Sequence, residues 1–490
     1  AGGSDSATFD NVLELLVLAG RPIEEAMSML IPEPWSGHES MPDDLKAYYE
    51  YQACLMEPWD GPAAIAFTDG TRIGACLDRN GLRPSRWWQM RDGLVVMASE
   101  SGVLDLPAAN VVRKGRLRPG RMFLVDTQQG RIVADEEIKT RLATSKPWRQ
   151  WLQSNQVKLA DLPEVDDVLR HTENRAAGES LPSANVSEKV ADHTPEPWSL
   201  AGVAGEASTL LQLQRAHGYT LEDLRIIIVP MATDGAEAIG SMGNDSPLAV
   251  LSDRPQLLAN YFKQLFAQVT NPPLDAIREE IITSLVTTIG CEGNVLDSTP
   301  EQCRLLRLEV PVVSNSEMAS IKALNQPGLV TKCISMLFEA RTGVEGMQQR
   351  LDELRSQASQ AIRDGATIIL LSDRGVNREF AAVPALLATS AVHHHLVKEG
   401  SRTCVGIAVE TADTREVHHF ALLTSYGAGA INPYLAFATI DQMQMEGLLP
   451  QDMPREKLHK NFLKAASKGL LKIMSKMGIS TQQSYRGAQI

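Results

Sequence analysis

What the chain lacks narrows its possibilities first. No apolar run in its 490 residues approaches the ~20 residues a helical membrane span needs, so a membrane protein is not expected. Positive charge is in deficit: 47 Lys and Arg stand against 60 Asp and Glu, a net charge of −13. With no basic stripe to reverse that balance, a generic nucleic-acid binder is excluded. Cysteine is sparse. The six, at 54, 76, 291, 303, 333 and 404, are scattered and form no C-x-x-C pair. They read as reduced thiols in a reducing compartment, with no zinc or iron–sulfur site in this segment. The sequence starts with neither a methionine nor a signal peptide, so an excised fragment is expected and targeting is not legible.

What is present suits a globular chain. Hydrophobic residues make up 43%, ample for cores, and the length suggests about three domains at roughly 150 residues each. In AGGSDSATFDNVLELL, Phe9, Val12, Leu13, Leu16 and Val17 recur at helical spacing, and Gly20 sits where a C′ glycine belongs. Pro22 suits the start of a second helix with Ile23, Ala26, Met27 and Leu30 on one face. From residue 61 short β-type runs are broken by Asp69-Gly70, Asn80-Gly81 and Asp92-Gly93, pairs that tolerate the positive φ of two-residue hairpins. Strands follow at 121–126 and 131–134, then a helix. Residues 171–209 are polar, small and without periodicity, and read as a linker. Beyond them the runs RIIIVP, PLAVLS, LLRLEV, ATIILLS and TCVGIAVE alternate with helical stretches such as QLLANYFKQLFAQV and MQQRLDELRSQASQAI. Buried strands alternating with helices predict a β/α domain with a parallel sheet. VLSDRP and LLSDRG, at 250–255 and 370–375, raise the question of a repeated unit. KGLLKIMSKMGIS, near the end, reads as the strand that opens a further domain.

Several motifs invite chemistry. Asp5, between two serines ahead of a helix, admits three readings: an adenylating phosphate loop, a carboxylate for a substrate ammonium group, or a helix cap. The first needs a buried parallel strand before the glycines, and an antiparallel meander follows where βα units should. His393, His394 and His395 suggest a metal, but consecutive helical residues point ~100° apart and do not converge. His418 and His419 share that defect. DRNGLRP at 78–84 reads first as a hairpin whose arginines pair with acids. The glycines of AIGSMGNDSP at 239–248 allow close approach of a ligand to the backbone, in a loop after a strand, where β/α folds build sites.

Taken together, SDSATFDNVLELL, AMSMLIPEPW, GPAAIAFTDGTRIGACLDRNGLRPSR, RKGRLRPGRMFLVD, PMATDGAEAIGSMGNDSPLAVLS, REVHHFALLTSYGAGAINPYLAF and KGLLKIMSKMGISTQQSYRGAQI resemble the large chain of glutamate synthase, over essentially all 490 residues. That family moves the amide nitrogen of glutamine onto 2-oxoglutarate. The resemblance implies an α/β multidomain chain. Residues 1–170 would be the C-terminal half of a class II glutamine amidotransferase domain, a partial αββα fold with antiparallel sheets. After the linker would come a central β/α domain at 210–430, then the truncated start of a (β/α)8 FMN barrel at 431–490. It implies that Asp5 receives the glutamine α-ammonium, and that the catalytic N-terminal cysteine lies outside this chain. Met477, Gly478 and Ser480 would lie near the flavin. Met242, Asn244 and Asp245, in the SMGND loop, would face the flavin and 2-oxoglutarate site.

The parent enzyme would use FMN and a [3Fe-4S] cluster, neither expected on this segment alone, which is expected to be inactive. Its partners would be glutamine, 2-oxoglutarate and a reductase small subunit or ferredoxin, in an oligomer without nucleic acid or membrane. A cytoplasmic location is expected, with a plastid one left open. Ammonia would pass between the two sites through an internal tunnel walled largely by the central domain. Two other readings remain: a non-catalytic channel scaffold, and a phosphoribosyl-transferring amidotransferase. The latter should carry acidic residues before a T-G-T-like phosphate loop, and none is found.

Overall fold

The computed structural model describes residues 3–163, 208–238, 248–263 and 276–489. The expected linker, apart from its last two residues, lies outside them.

The first 155 residues build layers in which helices cover a pair of antiparallel sheets. Ser4 caps the helix Asp5–Leu18, its hydroxyl accepting from the Ala7 amide at 3.3 Å. Gly20 follows at φ 96°, and Pro22 precedes the helix Ile23–Leu30. A third helix, Asp43–Ala53, carries Tyr48 and Tyr51 into the core; its apolar face is mostly tyrosine, so no aliphatic stripe announced it. One sheet runs Ala64–Thr68, Arg72–Leu77, Met122–Asp126, Arg131–Val133, all antiparallel. The other has Arg86–Met90 between Val95–Ala98 and Val111–Arg116. Ala75, Leu77, Leu117 and Phe123 fill the space between the sheets, with Trp87 against them. The opposite face of the first sheet, through Phe67, Cys76 and Leu124, meets helices carrying Leu16, Met27, Tyr48 and Trp148. Asp69-Gly70 and Asp92-Gly93 turn hairpins as expected. Asn80-Gly81 instead carries the chain from one sheet to the other, since Arg72–Leu77 and Arg86–Met90 do not pair.

The second half is organised by a five-stranded sheet. Leu329–Ser335, Ile368–Ser372, Gly406–Glu410 and Ala430–Asn432 run parallel in that order, and Asn325–Gln326 pairs antiparallel at the edge. Ile368–Ser372, Gly406–Glu410 and Ala430–Asn432 are buried throughout, as strands covered on both faces must be. The helix Gly343–Arg363 contains the expected helical stretch at 347–362.

Several expectations need correction. RIIIVP is helical: a π-turn at Asp223–Ile228 runs into the helix Val229–Asp234. Thr220 and Asp223 exchange side chain-to-amide hydrogen bonds at its start (2.9 and 3.1 Å), and Ile228 is buried while Ile226 is exposed. A one-sided burial suits a helix, not a covered strand. Within PLAVLS, Ala249–Leu251 is a 3-10 turn with Val250 and Leu251 exposed, so VLSDRP and LLSDRG are not copies of one unit. QLLANYFKQLFAQV holds the 3-10 turn Leu258–Tyr261, after which Phe262 is extended; residues 264–269 lie outside the described residues. KGLLKIMSKM is no strand. It ends the 23-residue helix Arg455–Met477, closed by Gly478 at φ 76°. The buried series Leu458, Phe462, Ala465, Gly469, Leu470, Met474 keeps the 3.6 period from well upstream of the run read as a strand. Tyr434, Phe437, Phe462 and Ala466 share one core with the central strands, while Leu470, Met474 and Tyr485 form a separate cluster with Leu285 and Ala421.

Candidate functional site

Asp5 is the first residue of its helix. Because Ser4 does the capping, the Asp5 carboxylate is left over, and among the described residues no hydrogen bond or ion pair engages it. It lines an open groove of about 1070 Å³ with Ser4, Phe9, Trp59, Asp60 and Gly61–Thr68. The exposed carboxylates of Asp5 and Asp10 line the groove and offer negative charge to a cationic group, although the positive end of the helix offsets part of it.

The floor of the groove leads to the boundary between the two halves. Asp60 lines the groove and accepts from Ser480, from its amide at 3.0 Å and from its hydroxyl. Burial lifts the Asp60 carboxyl above its usual value against the pull of Arg79 and Ser480. Arg79 is held by the DRNG turn. Asp78 receives the amides of Ala63, Asn80 and Leu82 at 3.0, 3.1 and 3.1 Å, and a Cβ on Gly81 would stand 2.2 Å from Pro119. The turn thus fixes its backbone with Asp78 and buries Arg79, whereas an arginine paired with acids was expected. Arg83 is exposed. Burial lowers the Arg79 value, opposed by Asp60, and its Nε and Nη1 have no partner among the described residues.

Arg79 faces a small void in the seam. The void is about 50 Å³ and is walled from one side by Gln52, Ala53, Cys54 and Pro58, and from the other by Ser284, Thr287, Thr288 and Gln483. Among the described residues, both amide atoms of Gln52, Thr287 Oγ1 and Arg307 Nε join Arg79 in lacking a partner. A space of that size admits molecules the size of water or ammonia, one needing about 10–15 Å³. The seam is well tied elsewhere. Arg21 donates to the carbonyls of Val295 (2.8 Å) and Asp297 (2.7 Å), Tyr51 to that of Thr299 (2.8 Å), and Gln483 to that of Ala53 (2.9 Å).

The other expected site residues fall as follows. Met477 ends a helix and packs beside Leu285, Ala421 and Met474. The Gly478 amide donates to Ser475, and both polar groups of Ser480 are taken by Asp60. None of the three offers a free donor to a flavin, so no step is routed through one. Met242, Asn244 and Asp245 lie outside the described residues. The histidine run serves three separate contacts: His393 accepts from Arg402 (3.0 Å), His394 donates to the Ser390 carbonyl (2.8 Å) and His395 meets Ser359 (2.8 Å). His418 reaches the Ala259 carbonyl at 3.3 Å. Sequence reasoning missed Asp60, Arg79 as a seam residue, and Gln52. The DRNG turn was the one signal pointing toward them.

A groove lined by carboxylates thus lies beside stacked antiparallel sheets that are joined to a β/α body. The class-II glutamine amidotransferase profile matches residues 1–151, and the glutamate synthase central domain profile matches residues 212–490. The chain belongs to the glutamate synthase family. It is 45% identical over 490 residues to the glutamate synthase [NADPH] large chain of Bacillus subtilis, covering 100% of this chain and 29% of that one. It is 42% identical to the glutamate synthase [NADH] of Schizosaccharomyces pombe, covering 100% and 22%. Against the chloroplastic ferredoxin-dependent enzyme of Spinacia oleracea identity is 41%, covering 99% and 29%. The chain therefore spans less than a third of the length of these relatives. Among solved structures a flavocytochrome b2 covers 27% of this chain and 31% of its own at 11% identity and a TM-score of 0.22, which carries no argument.

Proposed function

We propose that this chain is part of a glutamate synthase in which the groove holds glutamine and the seam passes ammonia onward. The observation that carries the reading is the adjacency of the two spaces. Asp60 lines the groove, and Arg79 beside it lines the seam void. In this reading Asp5 receives the α-ammonium of glutamine. The amide nitrogen, once released, crosses the Asp60–Arg79 boundary into a void too small for bulk solvent. Confinement keeps ammonia from the water that would protonate it. Hydrolysis itself needs a nucleophile, which is assigned to no residue here. In the whole protein, reductive amination of 2-oxoglutarate would draw its hydride from FMN, with a [3Fe-4S] cluster and a nicotinamide- or ferredoxin-linked donor, and none of that is assigned to residues of this chain.

The experiment is isotopic. A whole enzyme carrying this segment is given [amide-15N]glutamine with excess unlabelled ammonium, and the glutamate formed from 2-oxoglutarate is analysed by mass spectrometry. The expected product keeps the 15N label. Thr288→Phe, which fills the void from the central side, should cut glutamine-dependent synthesis while leaving ammonium-dependent synthesis in place. Label diluted to the isotopic ratio of the bulk ammonium would overturn the channel reading.

A further inference from the structure

A second cavity, remote from the groove, lies at the C-terminal edge of the central parallel sheet. That edge is where open α/β sheets receive ligands. Its volume is about 260 Å³. Val376 lines it beyond the strand Ile368–Ser372, and Asp413 and Thr414 line it beyond Gly406–Glu410. Leu257, Leu386, Leu422 and Leu423 give it apolar walls.

One end is polar and strictly built. Asp373 accepts from the Thr411 hydroxyl (2.6 Å) and the Ala412 amide (3.0 Å), which fixes the loop after the strand. Asp413 accepts from the Ala385 amide (3.0 Å) and meets His217 Nδ1 at 2.7 Å. The ligand atoms of His217, Asp373 and Asp413 are close enough to suggest a metal. They are, however, already tied to one another and to backbone amides, so the network reads as a scaffold that orients the imidazole. With Nδ1 spent on Asp413, His217 keeps Nε2. That atom is buried and has no partner among the described residues, although the whole ring is 5% exposed and lines the cavity. Thr414 Oγ1, on a residue 1% exposed, is likewise unpartnered. Burial opposes charging His217, but the hydrogen bond and charge of Asp413 outweigh it and lift the ring above its usual value. Protonation of the ring turns Nε2 into an N–H donor at the cavity wall, where Thr414 adds a hydroxyl. The N-termini of the helices Ala385–Glu399 and Val417–Ser425 also meet this end, which favours negative charge there.

We propose that this cavity binds a small monocarboxylate with an apolar body, its carboxylate received by His217 Nε2 and Thr414 Oγ1 and its aliphatic or aromatic part held by the leucine walls. The size is suitable, since an apolar cavity of about 150 Å³ already takes benzene. Buried polar atoms without a partner are costly until a ligand group meets them. No reaction is invoked. The site is a binding site separate from the glutamine groove and independent of the reading given to that groove.

The test is direct titration of the 490-residue chain by calorimetry with 4-methylpentanoate and with its neutral counterpart 4-methylpentan-1-ol. The acid should bind at least about tenfold more tightly, the difference a charge-assisted pair of hydrogen bonds supplies. Thr414→Val, close to isosteric, should weaken the acid about fivefold or more with the melting temperature unchanged or higher. Leu386→Trp, which fills the apolar end, should abolish binding of both probes. Equal affinity for acid and alcohol, acid binding unchanged in both variants, or no binding of the acid up to its solubility limit would each overturn the proposal.

Discussion

Glu410 shows how a single residue sets a condition on the fold. It ends a central strand with no solvent exposure. Lys322 Nζ and Arg374 Nε each lie 2.6 Å from its carboxylate, and the Ser372 hydroxyl donates at 2.5 Å. Burial pushes the carboxyl up, but Arg374, Lys322 and the hydrogen bonds outweigh it and hold it at about 2. A value depressed in the fold means stability that is complete above the usual 4.5 and is lost as pH falls toward 2. A shift of that size corresponds to about 3 kcal/mol. Urea unfolding between pH 5 and pH 2.5 should therefore show a steeper loss in the wild type than in Glu410→Gln. Parallel slopes would mean the charge network does not stabilise the fold. TCVGIAVE was read only as a strand, and its terminal Glu410 was not singled out, because Lys322 and Arg374 reach it from distant segments. Asp5 did draw attention. Its serine-flanked place before an apolar run allowed capping or substrate binding, and Ser4 took the cap.

At the scale of elements, the helix Arg455–Met477 shows what a short window misreads. GLLKI looks like a strand alone, and only the preceding turns establish the 3.6 period. RIIIVP fails for a similar reason: three isoleucines suit a strand, and the Thr220–Asp223 start decides for a helix. Where strands are covered on both faces, as at 368–372 and 406–410, the apolar run was sufficient. The helix Arg455–Met477 also carries a mid-helix glycine, Gly469, against the helix Val417–Ser425. A Cβ there would stand 2.3 Å from Val417 Cγ2. Propensity alone favours alanine by about 1 kcal/mol, whereas overpacking typically costs about 1–3 kcal/mol. The contact should win, so Gly469→Ala should lower the melting temperature. Adding Val417→Ala should recover most of the loss. A Gly469→Ala protein as stable as the wild type, by calorimetry, would show that the two helices can separate without strain.

For the whole molecule, two bodies share a seam that neither could have announced. The antiparallel meander, the β/α half and their order were legible, since turn pairs and apolar runs are local signals. The seam was not, because Arg21 with Val295, Gln483 with Ala53 and Asp60 with Ser480 join residues far apart in sequence. The same distance hid the second cavity, whose His217 comes from before the central strands and whose Asp413 comes from after one. Ser480, singled out for a flavin, bonds Asp60 and so ties the C-terminal segment to the wall of the groove.

The claim that the groove takes glutamine through Asp5 is tested by steady-state kinetics of a whole enzyme carrying this segment, with glutamine and separately with ammonium as the nitrogen source. Removing one partner of a charge-assisted pair costs about 2–5 kcal/mol, so Asp5→Asn should lower kcat/KM for glutamine by roughly 30- to several-thousand-fold. Synthesis from added ammonium should persist, because that route bypasses the groove. Equal damage with both nitrogen sources, or glutamine kinetics unchanged by the substitution, would contradict the assignment of Asp5 to the substrate ammonium.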